Sequence, residues 1–268
     1  MSHWLTPSVV QMFETALVAC AGIGIHVWQD GIHPCFDGDR YTSGLPQPYP
    51  FHRRFCGWPK RLLQASTYLG LLALCMMLGT PTKAALLMSL PGAWFIAIHP
   101  TTVDGVSMCL AFAASTVTPA SPLAGVALSL IAGLVHERGP VFAALYSGNP
   151  ILLLGLLGVG WWRKPARPDG DKLVGQGLLH SIRSHKPYTD WLDWKVNFLS
   201  LRGIPLLAGF YGAPPNAWAA LVVAWASRLV GTDGARFLYW AAPALLRDMP
   251  DPPLWLTMIH VLTFRRMV

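Results

Sequence analysis

"LLQASTYLGLLALCMMLG", residues 62 to 79, carries no charged side chain. A helix that crosses a bilayer needs about 20 mostly apolar residues, with a range of roughly 17 to 25. The stretch has that length and composition, and Thr80-Pro81-Thr82-Lys83 follows it as a turn. Taken as a membrane span, it sets the fold class, because runs of the same kind recur on both sides of it.

Upstream, Pro7 to Trp28 forms a first apolar run, followed by a polar loop from Gln29 to Arg61. The first run holds Glu14, has no positive segment before it and lacks a small-residue cleavage site, so it reads as a span and not as a removable signal. Downstream come Ala84 to Ile98, Val103 to Val117, Leu123 to Val135 and Pro140 to Trp162. The third to fifth runs are short, which suits tilted, partly buried or re-entrant helices.

Composition agrees. Charged residues make up 12% of the 268 positions and hydrophobic ones 53%, with mean hydropathy +0.41. Soluble domains carry about 25% charged residues. The expected fold is all-α: a polytopic transmembrane helical bundle of about 8–10 spans. Residues 1–162 form a six-span bundle, 163–203 a cytoplasmic basic segment, and 204–268 a set of C-terminal hydrophobic helices broken by prolines. Within the basic segment, Trp191, Trp194, Phe198 and Leu201 recur at near-helical spacing. That pattern fits an interfacial amphipathic helix or, equally, a packing helix.

The net charge of +7 concerns orientation and anionic head groups, not nucleic acid, since basic residues are scattered between spans. Residues 163–203 hold eight Lys/Arg against four Asp, so the positive-inside rule puts them in the cytoplasm. Alternating spans then put the N-terminus inside too, and the loops 29–61, 99–102 and 136–139 together on the other side. This grouping survives inversion of the whole protein, but it needs the third to fifth runs each to cross once. The first loop carries five Lys/Arg, against the rule. A phosphate-bearing ligand explains that excess, and so does an inverted topology.

These loops hold or border most of the ionisable groups of the first half. Such groups near hydrocarbon usually face a bundle interior or a water-filled cavity. "CFDGDRYTSG" (35–44) supplies Asp37, Asp39, Arg40 and Tyr41, and Arg53 and Arg54 follow in the same loop. "HPTTVDG" (99–105) supplies His99 and Asp104, and "HERG" (136–139) supplies His136, Glu137 and Arg138. A carboxylate beside arginines suits group transfer from a phosphate-linked donor. Asp37 or Asp39 can accept the proton of an acceptor hydroxyl. Arg53, Arg54 and Arg138 can hold the departing phosphate. Glu137 and Asp104 can orient the acceptor or bind a divalent cation (Mg or Mn).

Each residue also has an ordinary reading. Asp37-Gly38 is a common turn dipeptide, Asp104 can cap a helix, and residues 136–138 can be a solvated loop. No zinc site is expected from His26 and His33, which lack further well-spaced ligands. Cys20, Cys75 and Cys109 sit in apolar runs as free thiols, and Cys35 and Cys56 share one loop with or without a disulfide.

Together, "FDGDRYTSG", "PYPFHRRFCGWP", "HPTTVDG" and "VHERGP" resemble the loop motifs of bacterial GT-C-type membrane glycosyltransferases over roughly residues 8 to 150. The resemblance implies a multi-pass protein of the bacterial inner membrane. It implies Asp37 as catalytic base, with Asp39 and Glu137 beside it. The donor would be a polyprenyl-phosphate-linked sugar, and the product a glycoside made outside the cytoplasmic membrane by inverting displacement. Such proteins are usually longer, with more spans. The competing expectation is a non-catalytic membrane protein: a transporter, a carrier of lipid-linked intermediates or a subunit of a membrane complex. Broken helices and midplane charges would favour a transporter.

Overall fold

The structure is a computed structural model, and it describes residues 8–30, 60–98, 104–158, 201, 203–227 and 234–262. Among these residues all regular structure is helical. Helix α1 spans Val9–Asp30, α2 Lys60–Leu78, α3 Pro81–Met88, α4 Pro91–Ile98, α5 Asp104–Val117, α6 Pro122–Val135 and α7 Arg138–Ser147. A 3-10 turn follows at Pro150–Gly155. Then come α8 Ile204–Phe210, α9 Pro215–Ala226, α10 Gly234–Tyr239, α11 Ala242–Arg247 and α12 Leu254–Leu262.

Local chemistry sets the ends of these helices. Ser8 and Gln11 form a reciprocal box at the start of α1: Gln11 N–H donates to Ser8 Oγ (3.1 Å) and Ser8 N–H to Gln11 Oε1 (3.4 Å). Gly79 stops α2 with φ +85°, a conformation that glycine takes without strain. Thr80 caps α3 and Ser121 caps α6, each followed by proline in the first helical position.

Two helices are long and apolar enough to cross a membrane: Val9–Gln29 and Arg61–Leu78. A third crossing follows if the pair α3 and α4, bent by 74°, is one broken span. Helices α5 and α6 have 14 residues each, about 21 Å of rise against a hydrocarbon core of about 30 Å. The run expected as one third span is therefore interrupted at Pro91, which lacks the N–H that would continue α3. The run expected as one sixth span breaks as well. Helix α7 ends at Gly148 (φ +68°), and Asn149 then caps the 3-10 turn by accepting from Ile151 N–H at 3.1 Å. In the C-terminal part, α10 and α11 are two short helices, with Pro243 in the first turn of the second.

The bundle surrounds a core of Leu71, Leu74, Leu86, Leu90, Ile96, Phe112, Phe142, Tyr146 and Trp240. Val10, Phe13, Leu17, Ile25 and Trp28 of α1 are exposed, a lipid-facing stripe for a spanning helix. Glycines bring two helices close. A Cβ added at Gly70 of α2 would lie 2.7 Å from the Gly105 carbonyl oxygen of α5. Further along the same pair, Cys75 and Cys109 are electrostatic neighbours. So α2 and α5 run side by side in the same direction. Helix α6 returns antiparallel after the 118–121 turn, which brings His136 at its end level with Asp104 at the start of α5. At the other end of the bundle, Thr80 Oγ1 donates to Asp251 (2.7 Å) and Lys83 Nζ to the Arg247 carbonyl (3.0 Å).

Candidate functional site

Asp104 opens α5 and is fully buried. His136 leaves α6 in an extended conformation (φ −155°, ψ 136°), and its N–H still bonds to the Ala132 carbonyl at 2.8 Å. This exit turns the imidazole toward α5. His136 Nε2 lies 3.9 Å from Asp104 Oδ1, and Nδ1 lies 3.6 Å from Glu137 Oε2. Gly139 makes the approach possible, because a Cβ there would lie 2.7 Å from both Ser107 Oγ and Ala132 Cβ. Ser107 Oγ in turn donates to the Ala132 carbonyl (3.2 Å), pinning the start of α5 to the end of α6.

The C-terminal part of the chain closes the cluster. Trp240 donates its indole N–H to Asp104 Oδ1 at 3.1 Å. Its ring lies 5.7 Å from the His136 ring and 5.1 Å from Phe142. The Arg138 guanidinium stacks over Phe237, 3.7 Å from the ring centroid. Tyr146 then donates to the Trp240 carbonyl, fixing the backbone that carries the indole.

The electrostatics are those of a mixed-charge knot. Burial pushes the Glu137 carboxyl up. His136, a backbone N–H and Arg138 together outweigh it, with Asp104 opposing, and the net shift is below the usual value of 4.5. Arg138 N–H donates to His136 Nδ1 at 3.2 Å, so that nitrogen carries the lone pair and a neutral ring keeps its proton on Nε2, toward Asp104.

Of the residues expected to form the site, Asp104, His136, Glu137 and Arg138 come together. Asp104 and His136 are buried and Glu137 and Arg138 half-buried, so residues 136–138 are packed against the bundle rather than standing free as a solvated loop. Asp37, Asp39, Arg40, Tyr41, Arg53, Arg54 and His99 lie outside the described residues, as do Cys35, Cys56 and nearly all of the basic segment 163–203. Phe237 and Trp240 were not expected. Their sequence signal was weak: a buried tryptophan needs an acceptor for its N–H, but nothing local says which one.

Among the described residues no group of three or more His, Cys, Asp or Glu is arranged to hold a metal ion. The Asp104 oxygen nearest His136 is already committed to Trp240, and Arg138 adds positive charge. Mg and Mn favour several oxygen ligands in octahedral array, and the described part of the cluster supplies carboxylates from Asp104 and Glu137 alone. No step is derived through a metal.

No protein-family model, no curated protein and no solved structure matches the chain.

Proposed function

We propose that the chain is a multi-pass membrane glycosyltransferase of GT-C type, working at the Asp104–His136–Glu137–Arg138 cluster together with the loop that carries Asp37. It has about 8–10 spans, its N-terminus is cytoplasmic, and it resides in a bacterial inner membrane. The sugar comes from a polyprenyl-phosphate donor. Asp37 acts as base, and the arginines receive the phosphate. The observation that carries the reading is convergence. Asp104 and His136 lie 3.9 Å apart, and the Lys60 end of α2, where the Asp37 loop joins the bundle, points the same way as the Asp104 end of α5.

Two measurements test it. Single cysteines at Ser43, Thr101, Ala120 and Gly170, on a cysteine-free background in intact cells, report sidedness. The reading expects Ser43 and Thr101 to label from outside, with Ala120 and Gly170 protected. Purified protein is then assayed for sugar transfer from polyprenyl-phosphate donors. Asp37→Asn should abolish transfer while the protein stays folded. Transfer unaffected by Asp37→Asn and by Asp104→Asn would sink the proposal.

One observation favours the competing transporter reading. The neighbours of Gly105 on α2 include Thr67, Gly70 and Leu71. Asp104, beside Gly105, therefore sits about 9–15 Å in from Arg61, near mid-depth of that span. A buried carboxyl at mid-depth and a broken helix pair such as α3 and α4 are features of transporter sites. Solute flux that needs Asp104 but not Asp37 would identify this alternative.

A further inference from the structure

The two nitrogens of His136 face two different carboxyl groups, and those groups differ sharply in their access to water. The Glu137 side chain is 35% exposed, that of His136 10% and that of Asp104 1%. Nδ1 faces the outer acid at 3.6 Å and Nε2 the inner one at 3.9 Å. We infer that Glu137, His136 and Asp104 form a relay that carries one proton from the surface of the bundle to its interior.

The resting arrangement is poised for this. The Arg138 N–H donates to Nδ1, so the ring proton of a neutral His136 sits on Nε2 and points at Asp104. The Asp104 carboxylate is prepared as the acceptor at Oδ1, where the Trp240 N–H already donates. The charged and titratable groups around the imidazole come from each element packed on it: Asp104 from α5, and Glu137 and Arg138 from the corner between α6 and α7. Helix α10 contributes Phe237, and the turn after it Trp240; neither titrates, but they exclude water and hold Arg138 and Asp104 in place.

The transfer balances without electrons. Nδ1 first gives up the hydrogen bond from Arg138 N–H; a protonated Glu137 then gives its proton to Nδ1, leaving the carboxylate and an imidazolium. The imidazolium releases the Nε2 proton to Asp104 Oδ1, leaving an imidazole protonated at Nδ1 and a neutral Asp104 carboxyl. One O–H bond is lost at Glu137 and one is formed at Asp104. Both gaps exceed hydrogen-bond reach, so each step requires a closing movement of about 1 Å or one bridging water.

The relay uses the same cluster as the proposed site but not the reaction assigned to it, and its test needs no sugar donor. In the full-length protein in micelles, the infrared carbonyl band of the protonated Asp104 carboxyl is identified by its absence in Asp104→Asn. Its appearance is then followed in time after a drop in pH. His136→Gln keeps a donor but cannot carry a proton through. There the band should rise at least about tenfold more slowly, as expected for loss of a positioned proton carrier. Glu137→Gln should slow it as well, with the final amplitude kept. If His136→Gln fails to fold, Glu137→Gln, at a partly exposed side chain, decides alone. A band that rises at wild-type rate in the folded variants would overturn the relay. So would the absence of any Asp104-dependent band between about pH 4 and about pH 9. Loss of sugar transfer in Asp37→Asn bears on the enzyme reading and not on this one.

Discussion

Trp240 and Asp104 are 136 positions apart and share a buried hydrogen bond of 3.1 Å. The bond joins the short helices of the C-terminal part to the start of α5. The region after residue 203 thus completes the polar cluster of the N-terminal helices.

Removing that donor should be costly. Trp240→Phe keeps an aromatic ring against Phe142 but leaves Asp104 Oδ1 without the indole N–H. Expected is a loss of about 1–3 kcal/mol, the usual penalty when a buried acceptor loses its partner. Thermal unfolding in detergent measures it. A melting temperature equal to that of the parent protein would show that the bond contributes nothing.

Gly70 is predicted to be intolerant and Gly24 tolerant. A Cβ at Gly70 would lie 2.7 Å from the backbone of Gly105, whereas one at Gly24 would meet nothing within 4 Å. Gly70→Ala should destabilise by about 1–3 kcal/mol, because a backbone neighbour cannot give way as a side chain can. Gly24→Ala should leave stability unchanged. Paired melts of the two variants check the contrast.

Acid should loosen the corner that carries Glu137, which lies outside the three candidate spans. Its carboxyl titrates below the usual value of 4.5 in the folded protein. The stabilisation it gives is therefore complete above that value and is lost as pH falls through the lower, folded-state value. Glu137→Gln should flatten stability against pH in this acid range. A series of melts from neutral to acid pH is the check, and parallel curves for the two proteins would refute the assignment.

Thr80 has two roles at the far end of the bundle. It caps α3 and donates to Asp251 at 2.7 Å. Thr80→Ala should cost about 1 kcal/mol, typical of a lost N-cap. Asp251→Asn should cost less, since that contact is exposed and an amide oxygen still accepts. Equal losses in the two variants would mean that the cap itself is unimportant.

The apolar runs at 7–28 and 62–79 made two helices long and apolar enough to span a membrane legible, because length and hydropathy are local properties. The start of α6 was readable for the same reason: Ser121 and Pro122 act within one turn. The bends were harder. Ser89-Leu90-Pro91-Gly92 and Ser147-Gly148-Asn149-Pro150 are short turn signals inside longer apolar runs, and a count of apolar residues over a span-length window averages them away. Asp104 and His136 to Arg138 meet because α5 and α6 pack antiparallel, and each of these helices is too short to span the hydrocarbon.

What the sequence by itself determined is the helical class: a chain this poor in charge and this rich in apolar runs folds, among the described residues, as helices that satisfy their own backbone groups, two of them long and apolar enough to cross a membrane. What only the tertiary structure decided is the company each buried charge keeps. Trp240 finds Asp104 and Phe237 finds Arg138 through packing across more than a hundred residues in the first case and ninety-nine in the second. No periodicity records such contacts, because they depend on how glycine-lined helices such as α2 and α5 close against each other.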